Sequence, residues 1–147
     1  MKTLFKMSVL GTAAMTAFSY LISIRKNEKF LEPLVLNQLV FPAQKGDNAH
    51  HMAGYVIHYL VGLFFSKFYQ LFWNKGRSSP RIKNAATLGF LNGIFGVIGW
   101  HLTYKIHPAP PKISLKKYYL QLLVAHIIFG TANGMVYKQL REKSAIN

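Results

Sequence analysis

The residues best suited to chemistry are six histidines: His50, His51, His58, His101, His107 and His126. Neutral imidazole binds zinc, copper or haem iron, and it titrates at about pH 6–7, where it can relay protons or sense acidity. Two of the six share a local pattern. His58-Tyr-Leu-Val-Gly62-Leu-Phe-Phe-Ser66 and His126-Ile-Ile-Phe-Gly130-Thr-Ala-Asn-Gly134 both read HxxxGxxx followed by a small residue, and Gly54 stands one turn before His58. Small residues stacked with a histidine on one helical face define a groove that a second backbone or a flat ligand can enter. Accordingly His58 and His126 are candidate haem or cofactor ligands, and His58, His101 and His126 are candidate ligands of a transition metal. The plainer reading is that each imidazole hydrogen-bonds a backbone carbonyl, Asn92, Asn133 or a threonine and holds helices together. His101 and His107 read as interfacial, and His50 and His51 as solvated.

Other chemistries are poorly supplied. Cys is absent, which removes disulfides, thiolate metal sites, iron–sulfur clusters and Cys nucleophiles. The acids are Glu28, Glu32, Asp47 and Glu142, too few for a cation site built from several carboxylates or for a paired-carboxylate hydrolase. No catalytic constellation is recognisable, so the sequence leans toward a non-enzymatic protein.

The elements that must position the histidines come from charge. Four stretches carry no charged residue: Met7–Ile24, Asn48–Ser66, Asn84–Tyr104 and Tyr118–Tyr137, of 18, 19, 21 and 20 residues. A helix needs about 20 apolar residues to cross roughly 30 Å of hydrocarbon. All six prolines lie outside these runs, as helix breakers should. The expectation is an all-α, four-span transmembrane helical bundle: one integral membrane domain over 1–147, with spans at about 5–24, 50–73, 84–104 and 118–138. The N-terminal run, with Lys2 and Lys6 before it, resembles a signal peptide. It is longer than a usual apolar core, and Arg25–Lys26 follow directly, so a retained first span is predicted. Within loop one, PLVLNQLVFPAQ (33–44) is too short to cross and predicts an interfacial helix or a re-entrant segment.

The net charge of +14 sits between and beside the apolar runs, which predicts anchoring to anionic lipid headgroups and argues against nucleic acid as a partner. With an even number of spans, ten basic residues fall on the side of the termini and eight on the other. That bias places both termini in the cytoplasm and all six histidines on the opposite side. Tyr and Trp near the run ends, Trp73, Trp100, Tyr118 and Tyr137 among them, predict an interfacial aromatic belt.

Lipid tails are as apolar as leucine, so small residues and hydrogen bonds must bring the helices together. Ser8, Thr12, Thr16, Ser19 and Ser23 form a stripe on one face of the first span; Gly54 and Gly62 lie in the second, Gly89, Gly93, Gly96 and Gly99 in the third, and Gly130 and Gly134 in the fourth. These predict helix packing, within one bundle or in a homo-oligomer or a complex with another membrane protein.

At EPLVLNQL after the first span, the HxxxG of the second, GWHLTY closing the third and AHIIFG in the fourth, the chain resembles small four-span proteins of bacterial inner membranes. The resemblance implies a bacterial cell-membrane location. It carries no established activity and no site residue. Three functions follow from the sequence: a non-enzymatic accessory, structural or stress-related membrane protein, which is the reading adopted; an oligomeric carrier or channel for a small solute or ion; and a histidine site for haem or a transition metal near the non-cytoplasmic side. Against the carrier stands the lack of a carboxylate in any span.

Overall fold

The computed structural model describes residues 2–41, 48–76 and 79–146, with the side chains of 48–51 and 145–146 left outside the description. His50, His51 and Asp47 therefore carry no side-chain account. Among the described residues five helices follow one another: α1 (Lys2–Lys26), α2 (Glu32–Val40), α3 (Asn48–Asn74), α4 (Ile82–Ile106) and α5 (Leu115–Ile146). The protein is all-helical, as expected, and the four long helices coincide with the four uncharged runs.

Three of them, α1, α4 and residues Leu115–Ser144 of α5, are long and apolar enough to cross a membrane, with mean hydropathies of 1.5, 1.3 and 1.3. The expected fourth, α3, is long enough at 27 residues but falls short in apolarity. His58, Ser66, Lys67 and Gln70 dilute its average. An uncharged run is thus a weaker criterion than an apolar one.

The helices form a row, α4–α5–α1–α3, with α2 laid against α3. One buried cluster joins the start of α1 (Met7), the end of α3 (Tyr69, Trp73), the start of α4 (Ala85) and the end of α5 (Tyr137). A second joins Phe30 and Val35 of the first loop to the end of α4 (Trp100, Tyr104) and the start of α5 (Tyr118, Leu122). Neighbours therefore alternate in direction along the row.

Backbone contact is close where small residues were expected to allow it. A Cβ on Gly130 would stand 2.5 Å from the Ala85 carbonyl and 2.7 Å from the Cα of Gly89, so α4 and α5 touch main chain to main chain. Gly134 meets Ala85, Gly62 meets Thr12, and Gly54 meets the carbonyl of Pro33. Ser8, Thr12 and Ser19 of the hydroxyl stripe are buried. Gly99, by contrast, faces open space. The aromatic belt is also corrected. Tyr69, Trp73, Tyr118 and Tyr137 are buried: Trp73 packs on Tyr69 and on Tyr137, ring centroids 5.6 and 5.1 Å apart, and Tyr118 meets Trp100 edge-on at 5.4 Å at the other end of the bundle.

Candidate functional site

The site begins where α1 stops. Asn27 takes φ +48°, the left-handed conformation asparagine tolerates, and the Glu28 amide bonds the Ser23 carbonyl at 3.1 Å while the Asn27 amide bonds Ile24. This Schellman turn reverses the chain. The Phe30 amide then donates to the Ser23 hydroxyl, and the Phe30 ring packs on Tyr118. Glu28 ties the turn to α5 through Lys117, at 2.6 Å. Helix α2 starts at once, with proline in its first turn. Its far end is held by His107, whose Nε2 donates to the Leu39 carbonyl at 3.0 Å while Nδ1 accepts from the Ala109 amide.

The consequence is that Glu32, written in a loop, is delivered into the bundle. It is 2% exposed. Its Oε1 accepts from Gln121 Nε2 of α5 at 3.0 Å and lies 2.8 Å from the Ser19 hydroxyl of α1. Gln121 Nε2 also donates to Ser19 Oγ. The second carboxyl oxygen, Oε2, has no hydrogen-bond partner. Burial pushes the Glu32 carboxyl up to about 7, with the hydrogen bonds from Gln121 and Ser19 opposing.

Beside it lies a cavity of about 150 Å³, lined by Glu32 and Leu36 of α2, Met15 of α1, His58, Val61, Gly62 and Phe65 of α3, Asn92 and Trp100 of α4, and Leu122, His126 and Phe129 of α5. All five helices contribute. His58 and His126, which share the HxxxGxxx pattern, line one space. His58 Nε2 shares a 3.1 Å hydrogen bond with Thr16 of the hydroxyl stripe. His126 Nδ1 lies 2.8 Å from the Leu122 carbonyl, an acceptor only, so Nδ1 carries the hydrogen and Nε2 of the neutral ring is left as an acceptor. The His126 ring rests on Gly96, and its Cβ on Gly93, where a methyl would crowd it at 3.1 Å in both cases. Asn92 is 5% exposed, and neither atom of its carboxamide has a partner. The Tyr69 hydroxyl lies beside it.

His101 does not join the group. It is exposed and sits 3.5 Å from the Tyr119 hydroxyl. Among the described residues no three histidine or carboxylate side chains gather closely enough to hold a metal ion. The three-histidine set His58, His101 and His126 is therefore not assembled. Sequence reasoning missed Glu32 and Gln121. The available signal was an acid directly before Pro33 at the head of an apolar helix whose inward positions are 32, 33, 35 and 37.

Comparison with known protein families, with curated proteins and with solved structures returns no match for this chain.

Proposed function

We propose that the chain is a four-span integral membrane protein that acts without catalysis, holding a small solute in the cavity between its helices as a binding protein or carrier. The cavity, walled by all five helices and furnished with Glu32, Asn92, His58 and His126, is the observation that carries this reading. The objection raised by the absence of a carboxylate in the spans falls away, because α2 brings one in from outside them.

The distribution of side chains supports α3 as the fourth span. Its outward face shows Val56, Leu60, Phe64 and Phe68, at 53, 59, 69 and 53% exposure, while His58 and Ser66 point inward. Averaging over both faces hides this. A surface so apolar around a polar interior suits lipid and not water. The basic residues at both ends of the bundle suit anionic headgroups. The charge bias supports termini in the cytoplasm, and the resemblance to small inner-membrane proteins supports a bacterial cell membrane.

Because the chain lacks Cys, single cysteines report topology cleanly. Lys29→Cys and Lys75→Cys flank α3 and its approach. With four spans, an impermeant maleimide labels them from opposite faces of the membrane. Labelling of both from the same face refutes the fourth crossing. For the cavity, benzyl alcohol should bind nanodisc-embedded protein saturably at one site, and a purely non-saturable partition refutes solute binding.

A further inference from the structure

We propose that the cavity is a site for a small organic ammonium ion, with an alkyl or aryl body seated on the apolar wall and its N–H groups donated to Glu32, Asn92 and His126. The inference rests on the solute-binding reading above and names the class of solute.

Hydrogen-bond bookkeeping points to a donor-rich head. Glu32 has Oε1 engaged by Gln121 and Ser19 and Oε2 without a partner. Asn92 Oδ1 has none either. His126 has spent its ring N–H on Leu122, leaving Nε2 as a lone pair. Three acceptors thus line one cavity, and a primary ammonium carries three donors. A buried acceptor without a partner is costly, and a ligand that donates to Glu32 Oε2 and Asn92 Oδ1 relieves both costs, with the His126 lone pair as a third acceptor.

Charge and wall agree with this. The cavity lining holds one carboxyl and no lysine or arginine. Phe65, Trp100 and Phe129 bring aromatic rings to the wall, and ring faces attract cations. Met15 and Leu122 complete an apolar seat. A cavity of about 150 Å³ has room for a benzene-sized group. Of the titratable groups packed around Glu32, His58 comes from α3, and Tyr118 and His126 from α5; α1 and α4 line the cavity with Met15, Asn92 and Trp100, which do not titrate. When a cation enters with Glu32 protonated, the carboxyl gives its proton up to bulk water, so charge in the cavity stays balanced.

The test uses benzylamine and its neutral counterpart benzyl alcohol, titrated calorimetrically into the full-length protein in nanodiscs. Benzylamine should bind more tightly than benzyl alcohol at pH 8, and its affinity should fall about tenfold or more in Glu32→Gln, while benzyl alcohol is held as before. Asn92→Leu provides a second variant should Glu32→Gln not fold, and it too should weaken the amine selectively. In the wild type, lowering the pH from 8 to 5.5 should weaken the amine, because Glu32 then takes a proton and the amine does not lose one. Equal binding of the two probes, or an amine preference that survives both substitutions and the pH change, overturns the ammonium assignment and leaves the solute cavity standing. Saturable binding of neither probe overturns both.

Discussion

Glu32→Gln should remove a pH dependence of stability that the fold imposes. The carboxyl is buried between α1, α2 and α5, and its proton affinity rises from an ordinary 4.5 to about 7 because desolvation disfavours the anion more than Gln121 and Ser19 favour it. Below pH 4.5 the group is protonated in both folded and unfolded chains and its contribution is fully present. As pH rises from 4.5 the unfolded chain ionises first, so the native state loses stability until about pH 7, above which the loss is complete. The two values differ by about 2.5 units, or about 3 kcal/mol. Glutamine keeps an oxygen for Gln121 and Ser19 and cannot ionise. Thermal unfolding in detergent, followed by circular dichroism from pH 4 to 9, gives the difference between variant and wild type. That difference should be small at pH 4 and grow to about 2–3 kcal/mol in favour of the variant by pH 8. Taking the difference cancels contributions common to both proteins. Parallel curves across the whole range would refute the burial argument.

Two further outcomes test how the helices are held. Gly130→Ala should destabilise by about 1–3 kcal/mol through main-chain crowding at Ala85 and Gly89, whereas Gly99→Ala, in open space, should be neutral or mildly stabilising; steric trapping or thermal melts in detergent compare them directly. His107→Ala should cost about 1 kcal/mol and raise hydrogen exchange in α2, since it removes the tie to the Leu39 carbonyl, with unchanged exchange in α2 counting against that role.

Much of this architecture is written in local sequence, and the parts that are not share a cause. Helix limits follow from proline and from charge, both of which act over a turn or two. The contact glycines were legible because a missing Cβ is a local fact; which helix each meets is not, and Gly99 shows that the same residue in the same helix can face nothing. Aromatic residues near helix ends were read as a lipid-facing belt. Depth along a helix is visible in sequence, but azimuth is not, and the azimuth of Tyr118 and Tyr137 puts them inside.

Glu32 is the sharpest instance. None of the four uncharged runs contains a carboxylate. An acid reaches the bundle interior from the loop instead: a tight turn at Asn27, a ring contact between Phe30 and Tyr118, and a nine-residue helix pinned at its far end by His107 carry it to the level of Ser19 and Gln121. The burial of a charge-bearing group is therefore a property of how the loop folds back, not of the run in which the residue is spelled. In a small bundle with few acids, each acid next to a short apolar segment is a candidate for such delivery. Glu28, four residues earlier and paired with Lys117, marks the boundary: it lies where the turn still faces out, and Glu32 lies one turn further in.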